Sequence, residues 1–142
     1  MNDSSTEGHE MFPRARNFVD VVNQRMAGVP DYITNGEFLD AFYASPQGQR
    51  QSFIDSEPPY VPSVPQQSYA LFAAIAEELA LEYQLQVPPW TKKPCYFLAD
   101  ENAVWGGLKS SSQALRDVLK EQSPSAFAKR NIYVSANILS RT

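Results

Sequence analysis

The chain has 142 residues, 43% of them apolar and 20% charged, with a net charge of −4, a composition that suits one globular domain burying about two-thirds of its unfolded surface without staples. One cysteine, Cys95, excludes an intramolecular disulfide, and the start shows no basic, apolar and small-residue series of a secretory signal. The most apolar stretch, from Tyr69 to Leu85, is broken by Glu77, Glu78 and Glu82 and cannot span a bilayer core that needs about 20 apolar residues, so a cytoplasmic protein off the membrane is expected.

Residues 1–13 are polar, hold His9, and read as a disordered start. A single helical domain is expected over 14–142, with 14–29 as a loosely attached helical arm. In that arm Phe18, Val22 and Met26 fall on one helical stripe, closed by Gly28 and Pro30. Thr34 or Asn35 can cap a second helix through Tyr43, with Phe38, Leu39 and Phe42 inward, and Ser45-Pro46 starts a third that ends on Phe53 and Ile54. The prolines between Asp55 and Pro65 forbid helix and predict a stiff extended connector rather than a proline-recognition motif.

Gln66 to Tyr83 carries the strongest helical pattern, with Phe72, Ile75, Ala76, Leu79 and Tyr83 inward and Glu77, Glu78 and Glu82 facing away. After Pro88-Pro89, the side chains of Trp90, Tyr96, Phe97 and Leu98 read as one wall of a core, with Cys95 a small buried residue among them. Residues 100–110 read as loop. Ser111 or Ser112 then caps a helix through Glu121 that turns Leu115, Val118 and Leu119 inward. Ser123-Pro124 begins another helix ahead of Phe127. Asn131 to Val134 is too short for a sheet and reads as a link inserting Ile132 and Val134 into the core, and Ser135 opens a last turn with Ile138 and Leu139. The expected fold is all-α: a small orthogonal bundle of about five to seven short helices with proline-rich connectors.

Residues that carry chemistry are sparse. The one histidine lies in the polar start, away from any Ser or Cys nucleophile, and the single Cys and His are too far apart in sequence for a zinc motif. The run from Gly106 to Ser111 lacks the glycine spacing and Gly-Lys-Ser/Thr order of a phosphate loop. Neither a catalytic set nor a metal or cofactor site is expected. Residues 1–91 hold four Lys/Arg against twelve Asp/Glu and residues 92–142 eight against four, so the halves carry −8 and +4. Such asymmetry either steers a charged partner or draws the two halves of one domain together; the second reading is preferred.

Three segments carry a resemblance: Phe38-Leu39-Asp40-Ala41-Phe42-Tyr43, Val87 to Leu98 with its Pro89-Trp90-Thr91 and Tyr96-Phe97-Leu98, and the closing run Ser123-Pro124 through Phe127, Arg130-Asn131-Ile132, Val134-Ser135, Asn137 and Leu139-Ser140-Arg141. Over residues 30–142 the chain resembles a family of small uncharacterised bacterial helical proteins. The resemblance implies a free-standing protein or one attached to a helix-turn-helix domain, encoded near toxin-like nucleotidyltransferases, and hence an antitoxin-like or regulatory partner. No catalytic residues come with it. The chain departs from the pattern in residues 1–29 and in its Gly-Gly-Leu-Lys loop, and has no helix-turn-helix of its own. The expectation is a non-catalytic protein-protein interaction module whose partner-binding or structural residues are Phe127, Arg130, Asn131, Asn137 and Arg141. The alternative is a nucleic-acid-associated regulator using the basic carboxyl-terminal half.

Overall fold

The computed structural model of the protein describes residues 14–106 and 112–141. Six α-helices and three short 3-10 turns carry the fold among these residues, with a single pair of two-residue strands, so the protein is all-α. The expected disordered start with His9, Ser111 as a cap, and most of the loop after Gly106 lie outside the described residues. The chain divides into two compact units, Met1–Pro59 and Tyr60–Thr142.

In the first unit, α1 (Phe18–Met26) starts at Asn17, whose side-chain oxygen accepts the Asp20 N–H at 2.9 Å. Phe18, Val21 and Val22 are buried, but Met26, expected inward, is 57% exposed. Two four-residue steps rotate a helical stripe by about 80° at 3.6 residues per turn, so Met26 has left the face that Phe18 defines. The second helix, α2 (Asp31–Ala44), begins straight after Pro30, ahead of the expected caps. Thr34 is instead buried inside it, donating to the Asp31 carbonyl at 3.1 Å. A residue held extended at φ −61 before an acidic first turn is start signal enough. α3 (Gln47–Asp55) follows Pro46 and buries Phe53 and Ile54, as expected. Phe18 stacks on Phe38 at 4.5 Å, and Phe53 meets Phe38 and Phe42 edge-on at 5.8 and 5.7 Å. This aromatic cluster ties the segment read as a loose arm into the unit.

The second unit opens with a pinned connector. Tyr60 stacks on Tyr69, the Val61 N–H donates to the Tyr69 hydroxyl at 2.8 Å, and the Val64 N–H closes a turn onto the Val61 carbonyl. The connector is free of helix, as its prolines predict, with one turn at Val61–Val64. The long helix α4 (Gln66–Glu82) is buried on most of its sides, its alanines at 70, 73, 74, 76 and 80 letting neighbours approach. Against it pack the 3-10 turns Pro89–Lys92 and Pro94–Tyr96. Trp90, Tyr96 and Leu98 form the buried wall that the sequence predicts, and Phe97 is half-buried. Cys95 is exposed, contrary to expectation. In a turn with three residues per repeat, the inward Tyr96 leaves the preceding side chain on the outside.

A further 3-10 turn (Asp100–Asn102) leads to β1 (Val104–Trp105); α5 (Gln113–Gln122) and α6 (Ser125–Ala128) follow, then β2 (Ile132–Tyr133). The segment read as too short for a sheet does bury Ile132 and Val134, but β2 also pairs in parallel with β1, Val104 opposite Ile132. Gly106 extends the ladder, its N–H donating to the Tyr133 carbonyl at 2.8 Å. A Cβ there would stand 2.8 Å from Val134 Cγ1 and 3.2 Å from that carbonyl, so the close approach requires glycine. No described helix is long and apolar enough to cross a membrane.

Candidate functional site

The closing segment is built around Arg130. Helix α6 begins after Pro124 without a side-chain cap; Ser123, expected to cap it, instead donates its hydroxyl to the Leu119 carbonyl at 2.6 Å and accepts the Val134 N–H at 2.8 Å. The end of α5 is thereby stitched to the strand that follows α6. One turn on, Arg130 is fully buried, as is Phe127. Its guanidinium donates from one terminal nitrogen to Glu77 Oε1 and to the Ala126 carbonyl, both at 2.7 Å, and from the other to the Thr91 carbonyl at 2.7 Å. It also lies 4.5 Å above the Phe97 ring centroid. One side chain thus gathers α4, the Pro89–Lys92 turn and the end of α6.

Glu77 is the partner that makes this burial tolerable, since a buried guanidinium without a carboxylate is heavily penalised. Expected on the solvent face of α4, it is buried and also takes an ion pair from Lys129. Burial alone would raise its pKa; the hydrogen bonds and charges of Lys129 and Arg130 outweigh that and hold the carboxyl below its usual range. A signal was present, because the residues one turn away on its face include Ala73, Ala74 and Ala80, which belong to the core. Glu78 behaves oppositely: burial, then a hydrogen bond that its protonated carboxyl donates to Glu82 and the charges of Glu82 and Glu77, push it up to about 7.

Asn131 sits at φ 62, where a short amide side chain is tolerated, and its Nδ2 donates to the Leu98 carbonyl at 2.8 Å and Asp100 Oδ1 at 3.1 Å, while Oδ1 accepts the Tyr133 hydroxyl. Asn137 is exposed and accepts the Ser135 hydroxyl at 2.9 Å; Arg141 is exposed. Of the five residues singled out in the sequence, Phe127, Arg130 and Asn131 are therefore brought together as architecture, and Asn137 and Arg141 lie at the surface.

The unexpected surface is α5. The pattern predicts Leu115, Val118 and Leu119 turned inward, but no residue of this helix is buried, and Leu115 and Val118 are 45% and 48% exposed. The adjoining side, next to the half-buried Leu119, is the one that anchors. Trp105 and Tyr133 stack at 4.5 Å across the strand pair, and Arg116 sits 4.9 Å over the Trp105 ring. Lys120 lies 5.8 Å from the centroids of both rings. Cation-aromatic contacts thus help to hold a helix whose short apolar stripe, Leu115, Val118 and Leu119 at i, i+3 and i+4, is exposed at Leu115 and Val118 and half-buried at Leu119. Spacing reveals such a stripe but not which side it faces; the Arg116/Lys120 pair one turn apart was the available clue.

These contacts also account for much of the basic half. Arg130 and Lys129 are used on Glu77, and Arg116 and Lys120 on the two rings. Cut at the boundary between the units, the charges are four Lys/Arg against nine Asp/Glu and eight against seven, or −5 and +1. Among the described residues no three of His, Cys, Asp and Glu come together to hold a metal ion. Comparison with family models, with curated proteins and with solved structures finds no match.

Proposed function

We propose that the protein is a non-catalytic protein-binding module that docks a partner on the apolar stripe of α5. The observation that carries this reading is the mounting of the helix: an amphipathic helix ordinarily spends its apolar face on its own core, whereas α5 rests on Arg116, Lys120 and the half-buried Leu119 and presents Leu115 and Val118 outward. Leu115, Val118 and Leu119 at i, i+3 and i+4 supply the first part of the spacing by which helices engage partner surfaces. Burying the remaining half of Leu115 and Val118 contributes roughly 1.5–3 kcal/mol. Association costs about 4–15 kcal/mol in lost freedom, so groups bordering the stripe must contribute as well. The partner class implied by the resemblance of the closing segment, a toxin-like nucleotidyltransferase, is the first to test.

The test is affinity capture from the native host with the tagged full chain, nuclease present, comparing the parent with L115S/V118S. Circular dichroism should show both folded, since neither side chain is buried. A near-stoichiometric protein held by the parent and lost from the variant is expected. Equal capture by both would overturn the α5 assignment, and recovery of material only when nuclease is omitted would favour the nucleic-acid reading.

A further inference from the structure

The closing turn of α4 is assembled from parts that oppose one another. Its last turn carries Glu82 and no cation, although the carbonyl end of a helix favours positive charge. The end is closed by the Tyr83 N–H on the Leu79 carbonyl at 3.0 Å and the Leu85 N–H on the Ala80 carbonyl at 2.9 Å. The second bond needs a left-handed residue at 84, a place that glycine ordinarily fills; here Gln84 stands at φ 61, which a residue with a Cβ resists. The segment is also lightly held. Leu81 is 55% exposed, Glu82, Gln84 and Gln86 are exposed, and Tyr83 and Leu85 are half-buried, whereas Leu79 and Ala80 just before them are buried.

One hydrogen bond offsets these terms. Half-buried Glu78, one turn before Glu82, donates its carboxyl proton to the Glu82 carboxylate; without that proton the two are like charges at the spacing that destabilises a helix. The elements packed against α4 bring Lys129 and Arg130, both bound to Glu77, and, on the two 3-10 turns, exposed Lys92 and Cys95 and buried Tyr96. The charges that act on Glu78 are those of Glu82 and Glu77. We infer that the end of α4 is a proton-operated latch: the proton held between Glu78 and Glu82 keeps residues 81–86 closed, and its loss opens them. Opening swings Glu82 away, lets water reach Glu78 and releases Gln84 from its left-handed conformation, while buried Leu79 and Ala80 stop it from running further into the helix. Because the folded-state pKa is raised from 4.5 to about 7, the latch is fully closed below 4.5 and weakens as pH rises through about 7.

Amide hydrogen exchange of the full chain, resolved by NMR and divided by the chemical exchange rate at each pH, tests the latch. Protection of the Tyr83 and Leu85 amides should fall about fivefold between pH 5 and pH 8, the shift being discounted for solvent screening. In E78Q, which has no proton to lose there, it should stay nearly constant. Protection at Tyr83 and Leu85 that is independent of pH in the parent, or that falls equally in the parent and E78Q, overturns the inference. So does a fall at Ile75 in the middle of α4 with none at Leu85, since the penalty would then be relieved only by unfolding the whole unit.

Discussion

Replacing Arg130 with alanine tests whether the closing segment is architecture or a partner surface. The substitution leaves Glu77 buried with only Lys129 for company, and strips the Ala126 and Thr91 carbonyls of their donors. Breaking a buried ion pair from one side costs about 3–5 kcal/mol, and each carbonyl left dry adds about 1–3 kcal/mol where water cannot reach it, though such losses do not simply add. A loss of at least about 3 kcal/mol is expected, a large share of the roughly 5–15 kcal/mol that holds a domain folded. Urea unfolding followed by far-ultraviolet circular dichroism reads it as a lowered midpoint with the slope retained. Lysine at this position keeps the charge but cannot reproduce the planar fork that serves three acceptors, so R130K should recover only part of the loss. R130M/E77M removes both charges together and should be less damaging than R130A. A change below about 1 kcal/mol in R130A, with partner capture abolished, would refute the architectural reasoning and return Arg130 to the binding surface.

Two further outcomes follow from the geometry. The Glu78 carboxyl titrates near 7 in the folded chain against an ordinary 4.5; the folded state therefore binds its proton more tightly, and stability falls as pH rises from 4.5 through about 7. E78Q should be more stable than the parent at pH 8 by on the order of 1 kcal/mol after allowing for solvent screening, with the gain fading by pH 5 in urea titrations; a gain that is the same at both pH values would contradict the assignment. At Gly106, alanine would force Val134 and the β1–β2 ladder apart, so G106A should cost about 1–3 kcal/mol, and an unchanged urea midpoint would show that the ladder yields freely.

Most helices were legible because their periodicity and punctuation agree. Pro46 ahead of Phe53 and Ile54, and the Phe72 to Leu79 pattern of α4, place elements where the structure has them. What escaped was direction and pairing. Polarity assigned Glu77 to solvent, but a carboxylate is buried when a distant segment supplies cations, and Lys129 and Arg130 lie 52 and 53 positions on. The same logic misplaced Leu115 and Val118 of α5: apolar side chains were assumed to face inward, whereas two cations of this helix rest on two rings that meet only after β1 and β2 pair. Cys95 failed for a local reason, the three-residue repeat of its turn.

The charge asymmetry along the sequence has a matching resolution. Glu77 lies on the acidic side of Thr91 and Lys129 and Arg130 on the basic side, so the ion pairs that close the second unit join the two halves. The steering field suggested by −8 against +4 shrinks once Glu77, Glu78 and Glu82 are grouped with the cations that share their unit. Specificity in the closing run thereby acquires a structural meaning: Ser123, Phe127, Arg130 and Asn131 each satisfy a contact inside the fold, and together they fix β2 in the place where Tyr133 can stack on Trp105. That stack is the seat of Arg116 and Lys120. The segment most specified in sequence thus sets the angle at which α5 presents Leu115 and Val118, and on the docking role proposed for that helix a change in the closing run should alter binding through the helix's placement rather than through contact with a partner.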